Sequence, residues 1–294
     1  MMAGMKTFTV TENAPLLKTL LKAFPEYNRT KLKQILKYGS IAVNGKITTR
    51  HDHALKPGDK LKIQKKLNPT NERPNLLPPF PIVYEDAWIL VIEKPEGLLT
   101  VSTETIKTRT VYYELTHYVT SIDLTGKERI FIVHRLDRDA SGLLIFAKDE
   151  KTKVALQENW DHAEKKYYAV VEGTPKILRD KIESNLVEDK FRRVYSTGNT
   201  RLSKYAATEY EVMKTTGRYS LLDVKLLTGR KNQIRVHLAD IGHPIVGDEK
   251  YGSTINPAGR LGLHAYQLSF EHPVTKEKLV FKSALPIKLQ KLIF

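Results

Sequence analysis

The ten residues His134-Arg135-Leu136-Asp137-Arg138-Asp139-Ala140-Ser141-Gly142-Leu143 decide how this chain is read. They stand between two apolar segments, 130–133 and 143–147, whose composition predicts strands. A charged connection held by rigid elements is where folds place their chemistry. Asp137 has cationic neighbours on both sides in sequence, Arg135 and Arg138. Nearby positive charge favours the ionised carboxylate, the form needed in a nucleophile or a base. Taken alone, the same pattern also fits a solvent-exposed loop with ordinary, weak ion pairs.

A second dense stretch lies downstream, Thr228-Gly229-Arg230-Lys231-Asn232-Gln233-Ile234-Arg235-Val236-His237. Its spacing predicts a strand end, a glycine turn and a helix over 231–241 closed by Gly242. The helix start, near Arg230 and Lys231, offers free N–H groups and a positive dipole to an anion. Ile234, Leu238 and Ile241 would face the core, leaving Arg235 beside that face to meet a buried or half-buried carboxylate. An amphipathic helix with a basic solvent face fits this stretch equally well. Further strands are expected over 88–93, 167–172, 219–226 and 261–270, and helices over 111–119 and 152–160. Helices and strands do not alternate regularly. The expectation is therefore an α+β fold on a mixed, largely antiparallel sheet with flanking helices, not a doubly wound parallel sheet.

Charge separates the two ends of the 294-residue chain. Residues 1–66 carry 14 basic and 4 acidic side chains, the remainder 34 and 29. A basic block on a nearly balanced body is the footprint of a polyanion-binding module, with nucleic acid ahead of an anionic membrane surface. Five prolines within 67–81 predict a stiff linker between a small domain, 1–66, and a body, 82–294. In the small domain a helix over 29–37 places Leu32, Ile35 and Leu36 on one face. Arg29, Lys33 and Lys37 line an adjacent stripe, and Gly39 ends the helix. Asn44-Gly45 is a hairpin signal and Pro57-Gly58-Asp59 a second turn.

Several chemistries lose support. Zero cysteines removes disulfides, thiolate metal sites and cysteine nucleophiles, and suits a reducing compartment. GxSxG, HExxH and GxGxxG are absent, and Gly247-Asp248-Glu249-Lys250-Tyr251-Gly252 is followed by Ser253-Thr254 where a P-loop needs lysine. The nine histidines show no metal-ligand spacing. Without an apolar membrane span or a secretory h-region, a cytoplasmic protein is expected.

Together the quoted stretches closely resemble the RluA-type pseudouridine synthases. The match continues through Lys94-Pro95-Glu96-Gly97-Leu98, Lys165-Lys166-Tyr167-Tyr168-Ala169, Gly242-His243-Pro244-Ile245 and Gly247-Asp248, covering roughly residues 80–294. Residues 15–65 resemble an S4-type RNA-binding domain, a common companion in this family. The resemblance implies isomerisation of uridine to pseudouridine in RNA, with no cofactor and no metal. Asp137 matches the catalytic aspartate, which either attacks C1′ or removes the C2′ proton of the target ribose. Arg235 matches the arginine that pairs with it, Tyr167 the tyrosine that stacks on the target base, and Arg135 the arginine that fills the gap left by the flipped nucleotide. Arg230, with Arg29, Lys33 and Lys37, would meet RNA phosphates, which supply affinity and salt dependence. Ala140 stands where the family often has threonine, and Asn232 where it often has histidine. The S4-like part points to large-subunit ribosomal RNA, and a monomer is expected. A non-catalytic RNA-binding ribosome-assembly factor is the alternative, and an RNA hydrolase using Asp137 with a histidine a distant third.

Overall fold

The computed structural model describes residues 6–25, 27–37, 41–63, 78–122 and 128–294. The chain divides into two compact units, Met1–Leu77 with Thr116–Arg129, and Pro78–Leu115 with Ile130–Phe294. Of the expected linker, residues 67–77 lie outside the described residues, as does Gly39.

In the first unit β1 (Lys6–Thr9), β2 (Ala14–Pro15), α1 (Leu16–Ala23) and α2 (Arg29–Lys37) precede β3 (Ile41–Val43), β4 (Lys46–Ile47), β5 (Ala54–Leu55) and β6 (Lys60–Ile63). Four strands form an antiparallel sheet in the order β1-β6-β3-β4, and β2 pairs with β5. Asn44 and Gly45 take φ of 50° and 81°, the mirror-image turn that suits right-handed strand twist. The two turn signals are tied together: the Asp59 carboxylate accepts from Lys56 N at 2.8 Å and from Asn44 Nδ2 at 2.8 Å. Leu16, Leu20, Leu32, Leu36, Ile41 and Leu61 are almost wholly buried in one apolar cluster. On α2, Leu32, Ile35 and Leu36 are buried while Arg29 and Lys33 are exposed, as the spacing requires; the side chain of Lys37 lies outside the described residues.

The second unit is built on one large sheet. Its elements are β7 (Ile82–Glu85), β8 (Ile89–Lys94), α3 (Val111–Ile122, running on into the first unit's residues), β9 (Phe131–Ile132), β10 (Ser141–Ala147), α4 (Glu150–Glu158) and β11 (Glu164–Glu172). There follow β12 (Arg179–Glu188), β13 (Val194–Thr197), β14 (Lys204–Thr215), β15 (Tyr219–Leu226), α5 (Gln233–Asp240), β16 (Leu263–Glu271), β17 (Lys278–Lys282) and α6 (Ile287–Ile293). The strand order is β13-β12-β14-β15-β11-β16-β10-β8-β7, with β17 on β16 and β9 on β10. Among the strand ladders of the described residues only β10 with β16 is parallel. The α+β fold on a largely antiparallel sheet is thus the architecture of this unit.

Side-chain alternation explains why the sheet is covered on both faces. On β11, Tyr167, Ala169 and Val171 join Leu222, Val224, Ile234 and Leu238 beneath α5. Tyr168 and Val170 turn the other way, toward Leu221, Leu285, Leu289 and Ile293 beside α6. β10 is buried at every position, which explains its unbroken apolar run. At its start Gly142 has φ of 116°, and a Cβ there would come within 2.2 Å of the Ala265 carbonyl. Only glycine permits the close pairing that carries the chain out of the 134–140 loop and into the sheet.

Candidate active site

The loop before β10 is clamped from two sides. Thr100, 2% exposed, donates its hydroxyl to Leu136 O at 2.9 Å and accepts from Leu136 N at 3.2 Å. Lys94, at the end of β8 and fully buried, donates to Pro95 O at 2.7 Å, Arg138 O at 3.0 Å and Ala140 O at 2.8 Å. Burial pulls its pKa down to about 8, against the opposing pull of Asp139 and Asp137. At neutral pH the ammonium therefore keeps three donors for three carbonyls. Asp137 sits between these two clamps, its backbone neighbours fixed on either side.

Beneath the loop runs a polar chain whose donor directions follow from one arginine. Arg260, 6% exposed and donor-only, bonds Glu96 at 3.0 Å and the Ser141 Oγ at 2.6 Å. The Ser141 hydroxyl hydrogen must then go to His264 Nδ1 at 2.8 Å. His264 Nε2 in turn carries its proton toward the Ser283 Oγ at 3.0 Å, which donates to Glu93 at 2.6 Å. This order requires a neutral imidazole. Burial, followed by the charge of Arg260, holds the His264 pKa down to about 4, in agreement.

Asp137 opens on a cleft of about 320 Å³ whose walls include Arg135, Tyr167, Arg230, Asn232 and Arg235. Its own charge partners are not the sequence neighbours. Arg138 pairs with Asp139 at 2.9 Å, and Arg135 is exposed at the cleft. The cation that reaches Asp137 comes from 98 positions later: Arg235 Nη1 stands 3.4 Å from Oδ2. Arg235 is committed first to Asp248, by Nε–Oδ2 and Nη2–Oδ1 contacts of 2.7 Å each. Such a two-point contact fixes the guanidinium plane, leaving Nη1 for Asp137. Burial opposes the Arg235 charge, but Asp248 and then Asp137 outweigh it and raise its pKa.

Asn232 supplies the shortest contact to Asp137. Its amide nitrogen faces the carboxylate at 2.9 and 3.1 Å while its oxygen accepts from the Tyr251 hydroxyl at 2.9 Å. The reverse amide orientation would set a carbonyl oxygen against a carboxylate oxygen, so it is disfavoured electrostatically. Asn232 is 8% exposed with φ of 54°, a left-handed position that asparagine tolerates better than most residues. That conformation starts α5 at Gln233 rather than at Lys231, where periodicity places it. The backbone N–H of Arg230, expected to be free at the helix start, is answered internally by Gln233 Oε1 at 3.0 Å. The Arg230 side chain bonds Tyr205 O at 3.0 Å and remains exposed on the cleft wall.

The rest of α5 shows why its residue types fall as they do. Gln233 and His237 bond Thr208 on β14 at 2.9 Å each, while Ile234 and Leu238 enter the core. Arg235 is thereby aimed at the cleft. Tyr167, on β11, stands half-buried in the opposite wall. Burial, reinforced by the negative field of Asp137, pushes its hydroxyl pKa well above the usual tyrosine value, so it keeps its proton. The structure thus brings Asp137, Arg235, Tyr167, Arg135 and Arg230 to one cleft. Arg29 and Lys33 lie on the first unit, each exposed. Lys94, Thr100, Asn232, Asp248 and Tyr251 carry much of the site's geometry, although sequence pattern alone gives none of them a role.

Among the described residues no group of three or more His, Asp or Glu could hold a metal ion, and no helix is long and apolar enough to cross a membrane. Comparison with known proteins agrees with the fold. Residues 88–240 match the family model described as RNA pseudouridylate synthase. The chain is 34% identical over 284 residues to an uncharacterized RNA pseudouridine synthase of Bacillus subtilis (strain 168), spanning 94% of this chain and 92% of that one. It is 32% identical to the ribosomal large subunit pseudouridine synthase D of Vibrio cholerae, over 92% of this chain and 87% of the relative. The solved structure of human RNA pseudouridylate synthase domain containing 4 shares the fold, with a TM-score of 0.62 at 24% identity, over 71% of this chain and 90% of that one. The chain accordingly belongs to the RNA pseudouridylate synthase family, as an RluA-type member and an RNA-modifying isomerase.

Proposed function

We propose that this enzyme converts uridine to pseudouridine in large-subunit ribosomal RNA, with Asp137 as the catalytic carboxylate. The observation that carries the reading is the fixed position of Asp137. It lies in a loop clamped by Thr100 and Lys94 and is met by Asn232 and by an arginine locked on Asp248. Preorganised charge of this kind costs no rearrangement at the moment of reaction. The ribosomal target follows the names of the relatives in Vibrio cholerae and Yersinia pestis, called ribosomal large subunit pseudouridine synthase D.

The reaction moves the glycosidic bond from N1 to C5 of the same base. Asp137 either attacks C1′ as N1 departs and is itself displaced when C5 attacks C1′, or takes the C2′ proton as N1 departs and returns it to C2′ when C5 bonds to C1′. In both routes C5 bonds to C1′, the C5 hydrogen leaves as a proton, and N1 gains one. The target base must first leave its stack, at a cost of a few kcal/mol. Tyr167, protonated and at the cleft wall, offers an aromatic face whose stacking returns about 1–3 kcal/mol per base. Arg135 occupies the vacated space in the RNA, Arg230 meets a phosphate, and Arg29, Lys33 and Lys37 hold other phosphates on an S4-like domain. The enzyme acts as a cytoplasmic monomer in this reading.

Tritium release from RNA labelled at C5 of uridine tests the proposal, because that hydrogen is lost only when the new carbon–carbon bond forms. Wild type should release tritium from unmodified large-subunit ribosomal RNA transcripts in preference to transfer RNA. Asp137→Ala should release none while binding the same RNA with nearly unchanged affinity. Release by Asp137→Ala would remove Asp137 from the chemistry, and preference for transfer RNA would overturn the assigned substrate.

A further inference from the structure

The hairpin joining β12 to β13 ends in Asp189-Lys190-Phe191-Arg192-Arg193, and the family resemblance assigns nothing to it. Its shape is built. Asp189 Oδ1 accepts from Phe191 N and Arg193 N at 2.8 Å each, and Arg192 takes a φ of 62°. The turn thrusts Phe191 outward with 78% of its surface exposed, and Lys190 stands 5.1 Å from the ring centroid. A large aromatic side chain left in water beside a cation does nothing for the core.

The base of the tip is a knot of cations. Lys231 Nζ and Lys250 Nζ donate to the same Arg192 carbonyl, at 3.3 and 3.1 Å, which brings two ammonium groups together across one oxygen. Lys250 and Arg193 both lie over the Tyr251 ring, at 5.4 and 5.8 Å, and Arg235 is on that ring too at 5.0 Å. Four carboxylates lie nearby in sequence, and three of them are already engaged. Glu188 pairs with Lys231, Asp248 with Arg235, and Asp189 is held in its own turn; Glu249 is exposed. Burial lowers the Lys250 pKa, and repulsion from Arg235, Lys231 and Arg193 adds to the shift against the opposing pull of Asp137. Cations crowded in this way are relieved by an anion.

The knot adjoins the catalytic cleft through Tyr251 and through Arg235, which lies on the Tyr251 ring and contacts Asp137. Tyr251 carries the cations on its ring and bonds Asn232 with its hydroxyl, and Asn232 contacts Asp137. An anion at the knot would lie next to a nucleotide seated at Asp137. We infer that the hairpin tip is a second RNA-binding point, where Lys250, Lys231 and Arg193 hold a phosphate of the strand flanking the target uridine and Phe191 stacks on a neighbouring unpaired base. An aromatic platform beside a cationic track is the arrangement that binds single-stranded nucleic acid without reading its sequence. The inference rests on the reading of the cleft as the uridine site.

Binding of the full-length protein to an unmodified large-subunit ribosomal RNA transcript, measured against salt, tests this separately from catalysis. Phe191→Ala should weaken binding about tenfold, whereas Phe191→Trp should retain it and gain fluorescence quenching on RNA beyond that of the two native tryptophans. Arg193→Ala with Lys250→Ala should flatten the slope of log K against log salt by about one. Wild-type affinity and slope in both alanine variants would overturn the proposal, as would a Phe191→Trp signal that RNA leaves unchanged. Because the readout is binding, failure of tritium release from wild type would count against the uridine reading alone.

Discussion

The two units use cations in opposite ways. In the first, most of the buried hydrophobic side chains belong to one apolar cluster, and among its described residues the buried polar group is Thr19, with no buried cation. The second buries Lys94, Lys165, Arg235 and Arg260, each with acceptors in place. An exposed cation loses little hydration and exerts its field on whatever anion passes, screened by salt. A buried one holds its surroundings in a single arrangement and is costly once its partner is removed. The difference teaches where effects should fall. Changes in the first unit should alter RNA affinity and its salt dependence, and changes in the second should alter turnover and stability.

Arg235 provides the most severe test of that division. Arg235→Met preserves bulk but leaves Asp248, 1% exposed, without a counter-charge. Breaking a buried pair in this way costs about 3–5 kcal/mol, to be read as a lower urea midpoint. Tritium release should fall by a factor on the order of a thousand, the usual cost of losing a preorganised charge partner. Arg235→Lys should recover little, since one ammonium cannot make the paired 2.7 Å contacts to Asp248. If Arg235→Met kept its stability and lost only RNA affinity, the contrast between the units would collapse.

Lys94 sharpens the same point without touching the cleft. Lys94→Met removes the donor to the buried Ala140 carbonyl and to the part-buried carbonyls of Pro95 and Arg138. A loss of about 2–4 kcal/mol is expected from unsatisfied acceptors, together with a slower turnover at saturating RNA. A normal turnover number in this variant would show that the loop keeps its shape without the clamp.

Acid should act on the second unit through the buried His264 and the half-buried His134. His264 is held down to about 4 and His134 to about 3, against an ordinary value of 6.5. Between those values the unfolded chain binds protons that the folded chain refuses, so stability falls as pH drops from 6.5 toward 4. One pKa unit corresponds to about 1.4 kcal/mol, which makes the loss on the order of 3 kcal/mol for His264. Urea midpoints measured at about pH 6.5, 5.5 and 4.5 should decline accordingly, and His264→Gln should show a shallower decline whatever its starting stability. An unchanged slope in that variant would place the acid sensitivity elsewhere.

How much of this is legible in the sequence depends on whether the cause is local. The strand over 219–226 and the Asn44-Gly45 turn follow from alternation and turn chemistry, and the structure matches them to the residue. The buried face of α5 is legible for the same reason. β12, β13 and β14 are not, because a mostly exposed ribbon such as 179–188 carries no hydrophobic period to detect. Asp137 can be picked from its motif, and the family resemblance names Arg235 as its partner, whereas adjacency in sequence points to the wrong cation. The adjacent Arg138 turns to Asp139, while the effective partner arrives from position 235. Lys94 reads as the polar end of a strand, and its burial depends on carbonyls contributed 44 and 46 residues later. Asp248 lies in a connection without a pattern. Its function exists only once Arg235 is folded against it.

The smallest effects on stability, and the clearest on salt, belong to the first unit. Arg29 and Lys33 are exposed on the stripe that also includes Lys37 by sequence. Replacing all three by alanine disturbs no buried packing of Arg29 or Lys33, so the urea midpoint should move by no more than about 0.5 kcal/mol in stability. Each RNA phosphate left unneutralised should reduce the slope of log K against log salt by about 0.7–0.9, giving a change of about 2–3 for the triple variant. Binding curves for one ribosomal RNA transcript across a series of salt concentrations provide that slope directly. A flatter slope with an unmoved midpoint is the signature of cations that touch only the partner. If instead the midpoint fell and the slope held, the stripe would be supporting its own fold, and the first unit would be using its charges as the second one does.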